Sequence, residues 1–123
     1  MYTFDTNAII YYIKNDDVAV RQLDSIFERN TWLYVSTISE IELFGFREIT
    51  NNETIEIEKF LSAVIIVPLD SPIARIASKL HKEFGLKIPD SAIAATALYT
   101  NTTLVTRNVR DFKKVAGLNI LKI

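Results

Sequence analysis

The chain has 123 residues, 49% of them hydrophobic and 24% charged, which is enough for one hydrophobic core, so a single domain over residues 1–123 is expected. It has no cysteine and one histidine, which excludes a disulfide framework, a thiol nucleophile and any site with two histidine ligands. The net charge of −1 is unevenly spread: residues 1–70 hold 5 basic and 12 acidic residues, and residues 71–123 hold 9 and 3. The basic C-terminal part is compatible with a polyanionic partner.

The sequence predicts neither a targeting leader nor a membrane span. Residues 1–5 show no basic leader followed by an apolar segment, so a cytoplasmic location is expected. The longest uncharged stretch, residues 91–106, contains asparagine and several threonines, which makes it short and polar for a membrane span. It is predicted to be buried protein structure, and no membrane partner is expected.

Short runs rich in β-forming residues alternate with helical patterns along the chain. Strands are predicted over residues 2–4, 32–35, 64–67, 103–105 and 119–121. The low content of glycine and proline, three of each, argues against a barrel of many short strands and favours long helices. Alternating strands and helices are typical of βαβ units, so we expect a three-layer α/β/α fold around a parallel sheet of about five strands.

Helices are predicted from residue 6 onward and over about 38–49, 71–85 and 90–100. In the third, Ser71 is expected to be the N-cap, Pro72 the first helical residue and Gly85 the end. The last is rich in alanine and uncharged after Asp90, which predicts burial on most sides. The segment 53–58 alternates polar and apolar residues as a strand does, but its acidic flanks favour helix.

Asp5 directly follows the first predicted strand. In a parallel sheet this position lies at the carboxyl end, where open α/β folds bind ligands. The alternative is that Asp5 caps the helix that follows, because aspartate is a favoured N-cap residue.

Glu42 lies on the predicted 38–49 helix, and steps of 100° place it in the middle of an apolar face shared with Ile38, Gly45, Phe46 and Ile49. An ionised carboxylate in such a position needs a cation, a shared proton or a cleft that opens to water. The alternative is a structural ion pair with a buried arginine.

Asp90 opens the alanine-rich helix, and Asp111 lies just beyond the fourth predicted strand, close to Asn108. Each has a structural alternative, because Asp90 can cap its helix and Asp111 can cap a short helix or pair with Arg110 or Lys114. Taken together with Asp5 and Glu42, however, these acids are expected at one edge of the sheet. Several carboxylates without histidine or thiol make an all-oxygen site that suits Mg²⁺ or Mn²⁺, and their mutual repulsion favours cation binding.

Four segments of the chain resemble the acidic motifs of PIN-domain ribonucleases and, within that family, of VapC-type toxins of bacterial and archaeal toxin–antitoxin pairs. They are Asp-Thr-Asn at 5–7, Ser-Glu-Ile-Glu-Leu at 39–43, Pro-Asp-Ser-Ala-Ile-Ala-Ala-Thr-Ala at 89–97 and Thr-Arg-Asn-Val-Arg-Asp-Phe at 106–112. The resemblance spans essentially the whole chain. It implies that the catalytic and metal-binding residues are Asp5, Glu42, Asp90 and Asp111. Some members have an acid where this chain has Asn108.

The resemblance implies a Mg²⁺-dependent endoribonuclease, with Mn²⁺ as a possible substitute, that acts on RNA as the toxin of a type II system. It further implies a homodimer that is neutralised by a cognate antitoxin in the active-site groove. Side chains expected to orient the acids through hydrogen bonds are Thr6, Asn7, Thr106 and Asn108. A basic cluster that can receive the RNA backbone consists of Arg107, Arg110, Lys113 and Lys114, although as solvated charges these residues need no function.

Two other classes of function remain open at this stage. A metal-dependent phosphatase or phosphotransfer domain also has an aspartate at a strand end, but the haloacid-dehalogenase pattern needs a second acid two residues later, where this chain has Asn7. A catalytically weak binding module that retains the acidic cleft is the other. The presence of all four acids disfavours it.

Overall fold

A five-stranded parallel sheet forms the centre of the computed structural model, which describes all 123 residues. The strands run in the order β3-β2-β1-β4-β5, and every neighbouring pair is parallel. Their bounds are β1 Tyr2–Phe4, β2 Leu33–Ser36, β3 Ile65–Val67, β4 Thr103–Thr106 and β5 Ile120–Lys122. The predicted parallel sheet of five strands is thus confirmed, with ends shifted by at most one residue.

Helices cover both faces of the sheet, which gives the three expected layers. Successive strand residues point to opposite faces, and on β4 Leu104 joins one hydrophobic cluster while Val105 joins the other. The Val105 cluster includes Phe4, Leu23 and Phe60, and the Leu104 cluster includes Ile93. The helices are α1 Thr6–Ile13, α2 Asp17–Glu28, α3 Thr37–Phe44, α4 Asn51–Ser62, α5 Ser71–Phe84, α6 Ile88–Thr100 and α7 Val109–Phe112.

The helix ends correct two sequence predictions. The α3 helix ends at Phe44 instead of continuing to residue 49, and Gly45 caps it. The N-cap of α5 is Asp70 and not Ser71, because the Asp70 carboxylate accepts a hydrogen bond from the backbone N–H of Ile73 at 3.2 Å. Gly85 ends α5 in the left-handed conformation, φ 69°, as predicted.

Two further helices complete the comparison. The ambiguous segment 53–58 is helical, within α4, which begins with a reciprocal capping box between Thr50 and Glu53. The α2 helix was not predicted, although Asp16 caps it and Ala19, Leu23 and Ile26 form its buried stripe. None of the seven helices has both the length and the apolar character needed to cross a membrane.

Candidate active site

Asp5 lies at the junction of β1 and α1, at the carboxyl edge of the sheet. It is 3% exposed, and its Oδ2 accepts a hydrogen bond of 2.7 Å from the hydroxyl of Thr106, at the end of the neighbouring strand β4. Asp5 occupies the N-cap position of α1, but its side chain accepts no capping hydrogen bond from that helix. The interpretation of Asp5 as a helix cap is therefore wrong, and the carboxylate is held across the sheet edge instead.

The pKa of Asp5 is raised from 3.8 to about 6, and burial is the largest cause. The negative charges of Asp90 and Glu42 contribute to this net rise, while the hydrogen bond from Thr106 acts in the opposite direction. A carboxylate in this environment is costly to ionise unless a positive charge is brought to it.

Glu42 is held on α3 by a contact with α1. The hydroxyl of Thr6 donates to Glu42 Oε1 at 2.7 Å, and Thr6 Oγ1 also lies 2.8 Å from Oγ of Ser39. The predicted apolar face is wrong in detail, because the buried residues of α3 are Ser39 and Leu43, and Glu42 is half-buried beside them. No arginine or lysine forms an ion pair with Glu42, so the structural ion-pair alternative also fails.

Asp90 lies in the first turn of α6 and is half-buried. The N-cap of α6 is Lys87, and no side chain provides a capping hydrogen bond there. The pKa of Asp90 is raised, first by burial and then by the negative charges of Glu42 and Asp111. The helix-cap interpretation thus does not account for this acid.

Asp111 lies on the short helix α7 and is tied to the preceding turn. The side-chain amide of Asn108 donates to Asp111 Oδ2 at 3.0 Å, and this bond holds the pKa of Asp111 below its usual value. Neither Arg110 nor Lys114 forms an ion pair with it, although their positive charges act in the same direction. The helix N-cap is Asn108, so Asp111 does not cap this helix.

The four acids affect one another through their negative charges. The charges of Glu42 and Asp90 raise the pKa of Asp5, and the charges of Glu42 and Asp111 raise the pKa of Asp90. As the side chains are placed, no three acidic or histidine residues form a ready-made metal-binding group. The donor set nevertheless fits a hard divalent cation, because it consists of carboxylate oxygens and because ionising Asp5 and Asp90 together is unfavourable without a compensating positive charge.

An open groove of about 640 Å³ runs along α1 and α3 beside Glu42. Its wall includes Thr6, Asn7, Phe46 and Arg47. Because the groove opens to water, Glu42 keeps part of its hydration, which explains how an acid at the margin of a buried helix face is tolerated without an ion-pair partner.

The side chains expected to orient the acids divide into two groups. Thr6, Thr106 and Asn108 each bond one of the four acids, as predicted, and Ser39 joins Thr6 without having been predicted. Its position, three residues before Glu42 on the same helix, is the sequence signal that could have identified it. Asn7, by contrast, is exposed, and its side chain forms no hydrogen bond within the chain.

The basic cluster beside Asp111 also divides. Arg107 is not available to bind a phosphate, because its guanidinium forms a bidentate ion pair with Asp16. Arg110, Lys113 and Lys114 are exposed. The positive charge available to a polyanion in this cluster is therefore provided by these three residues. His81 is exposed, as predicted, but its Nδ1 lies 2.6 Å from the carbonyl oxygen of Leu86, so it closes the turn after α5.

Comparison with known proteins places this geometry in a family. Ribonuclease VapC19 of Mycobacterium tuberculosis is 30% identical over 118 residues, with 91% of this chain and 92% of that protein covered. Ribonuclease VapC2 of Rickettsia felis is 31% identical over 127 residues, with 96% and 94% covered. A toxin-antitoxin complex from Klebsiella pneumoniae contains a chain that superposes with a TM-score of 0.82 at 27% identity, with 100% of both chains covered. Residues 2–118 match the PIN domain, and the chain therefore belongs to the PIN-domain family.

Proposed function

We propose that this protein is an endoribonuclease of the VapC type that hydrolyses phosphodiester bonds in RNA with the help of a divalent metal ion. The observation that carries the proposal is the coupled set of acids at one edge of the sheet, Asp5, Glu42, Asp90 and Asp111. Its support from relatives is that two proteins about 30% identical over nearly the whole chain are named ribonucleases.

The site residues would share the work as follows. Asp5 and Asp90 would hold Mg²⁺ or Mn²⁺, and Glu42 and Asp111 would complete the site or orient the attacking water. A bound divalent ion would lower the pKa of that water and neutralise charge developing on the phosphate. The chain's own hydroxyl and amide groups keep the acids aimed: Thr106 restrains Asp5, Thr6 restrains Glu42 and Asn108 restrains Asp111.

The RNA backbone would lie against the basic residues next to Asp111. Arg110, Lys113 and Lys114 are exposed and belong to the C-terminal part of the chain, which has 9 basic and 3 acidic residues. Phosphate contacts of this kind give affinity without sequence preference and weaken with salt. A cognate antitoxin protein is the other partner, because the chain superposes over its full length on a chain of a toxin-antitoxin complex.

The purified protein is expected to cleave RNA in the presence of Mg²⁺ or Mn²⁺ and to stop when EDTA is added. Gel analysis of a mixed RNA substrate, with para-nitrophenyl phosphate as a small phosphate ester in parallel, measures this. Metal-dependent hydrolysis of the ester without RNA cleavage would replace the proposal with a phosphatase. Absence of both activities together with absence of metal binding would leave a binding module.

A homodimer is proposed from the exposed apolar side chains of α3. Ile41 is 70% exposed and Phe44 is 45% exposed, while Leu43 is fully buried. Burying such side chains against a second copy removes apolar surface from water. Phe44→Ser is expected to weaken the dimer by about tenfold or more in sedimentation equilibrium, because buried apolar area is lost. Tyr99→Ser, at an exposed aromatic on α6, serves as the matched control. A parent protein that stays monomeric at all accessible concentrations contradicts this prediction.

A further inference from the structure

Arg107 forms an unusually complete set of contacts for a residue next to the acidic site. Its Nη1 and Nη2 lie 3.2 and 2.9 Å from the two carboxylate oxygens of Asp16, and its Nε donates to the carbonyl oxygen of Ile123 at 3.3 Å. The guanidinium carbon lies 4.0 Å from the centre of the Tyr11 ring. The Arg107 clamp, defined as Arg107 with Asp16, Tyr11 and Ile123, thus joins the end of β4 to the α1–α2 corner and to the residue that follows β5.

The Asp16 side of the clamp is also held in place by α2. Asp16 is the N-cap of α2, and its Oδ1 accepts a hydrogen bond of 3.0 Å from the backbone N–H of Ala19. Hydrogen bonds from Arg107 are the main cause that lowers the pKa of Asp16 to about 2, so the carboxylate is ionised at neutral pH. A planar guanidinium that is both bidentate and stacked cannot be replaced by lysine without loss of contacts.

Arg107 is connected to the acidic site through the residues on either side of it in the sequence, Thr106 and Asn108. Thr106, immediately before Arg107, bonds Asp5, and its hydroxyl oxygen also accepts from the backbone N–H of Asn108 at 2.9 Å. Asn108, immediately after, bonds Asp111. The direction of the segment that leaves β4, and with it the position of Asp111, is therefore fixed on one side by Asp5 and on the other by the clamp.

We infer that Arg107 is a positioning residue for the acidic site, which acts through Thr106 and Asn108 and does not bind RNA. The inference rests on the proposed nuclease function. The sequence suggests that Arg107, as a member of a basic cluster, receives the RNA backbone. The structure argues against this role, because the guanidinium already binds a carboxylate, a carbonyl oxygen and an aromatic ring, and few of its N–H groups remain for a phosphate. Restraint of this indirect kind typically contributes 10- to 100-fold to activity.

Steady-state cleavage of an oligoribonucleotide with saturating Mn²⁺ separates the two roles. Arg107→Met is expected to lower kcat by about 10- to 100-fold and to leave KM within about twofold. Asp16→Asn, which keeps a good helix cap while removing the charge, is expected to lower kcat in the same way, and the double variant is expected to be no worse than Arg107→Met alone. Lys79→Met, at an exposed position on α5, is the control for loss of a positive charge.

RNA binding in EDTA, measured as a function of salt, supplies a readout that positioning does not change. Arg107→Met is expected to keep the parent's slope of log Kd against log salt, whereas Arg110→Met is expected to reduce it by about one phosphate contact. A raised KM with a reduced slope in Arg107→Met would overturn the inference in favour of phosphate binding. Unchanged kcat, or losses in the two single variants that simply add, would reduce Arg107 to a structural role.

Amide hydrogen exchange keeps the inference testable apart from catalysis. Arg107→Met is expected to speed exchange at the backbone amides of Asn108 and Phe112, with little change in α5. If the parent protein cleaves no RNA, the proposed function fails. Faster exchange at residues 108–112 would then still support the clamp, whereas unchanged exchange there would overturn it.

Discussion

Asp5→Asn is expected to lower metal-dependent RNA cleavage by about a thousandfold, because several kcal/mol of charge stabilisation is lost with the carboxylate. The protein is expected to remain folded, since the asparagine carbonyl oxygen can still accept the hydrogen bond that Thr106 donates to Asp5. Cleavage rates at saturating Mg²⁺ and circular dichroism of the same preparations measure the two effects.

Asp70→Asn is the matched control for this experiment. Asp70 is also an aspartate at a helix N-cap, but its carboxylate bonds the backbone of α5, and its charge is not among those that shift the pKa of Asp5, Asp90 or Asp111. Asparagine is an equally good cap, so activity and stability should both be retained. Equal loss of activity in the two variants would point to a general effect on the fold or to a contaminating nuclease.

Without metal, the free energy of unfolding is expected to contain a penalty from Asp5 that grows as the pH rises. The folded-state pKa of Asp5 is raised to about 6, so between pH 3.8 and about 6 the unfolded chain has released a proton that the folded chain retains. Unfolding therefore releases a proton, and stability falls across this interval as the pH rises. A shift from 3.8 to about 6 corresponds to about 3 kcal/mol above pH 6.

Asp5→Asn removes this penalty, so its melting temperature in EDTA at pH 7 should exceed that of the parent. Asp90→Asn should raise it in the same direction, since the pKa of Asp90 is also raised. The differences between variant and parent should shrink as the pH falls towards and below 3.8, because the parent acids then become protonated in both the folded and the unfolded state. Added Mg²⁺ should then stabilise the parent more than either variant.

Thermal melts at pH 4 to 8, with EDTA and with Mg²⁺, test this prediction. The difference in melting temperature between each variant and the parent isolates the substituted acid. Acids with lowered pKa values, such as Asp16, Glu53 and Asp111, are present in both proteins, so their contributions cancel. Asp70→Asn again provides the reference. Melting temperatures in EDTA at pH 7 that are unchanged or lower in both variants, together with no effect of metal on the parent, would refute the clustered acidic site.

Local sequence patterns were sufficient for the strands and for most helices. The β-rich runs are short and bounded by turns, and alternation with helical segments leaves a parallel sheet as the arrangement that satisfies all of them. The sequence pattern does not predict α2, because four charged residues accompany a stripe of only three buried side chains. The end of α3 was misplaced because apolar residues continue past Gly45 at helical spacing, while the chain itself turns there.

The sequence by itself determined the fold class and the family, because hydrophobic periodicity and the four acidic motifs are local properties of the chain. Only the tertiary structure decided what each charged side chain does. In the sequence, Asp5, Asp90 and Asp111 resemble helix caps. In the structure, Asp5 accepts a hydrogen bond from Thr106 at the end of the neighbouring strand. Arg107 looks like a phosphate ligand, but it is committed to Asp16, 91 residues away along the chain. The physical reason is that burial and charge coupling, which set the pKa and the partners of an ionisable group, depend on neighbours that are brought together only when the sheet forms.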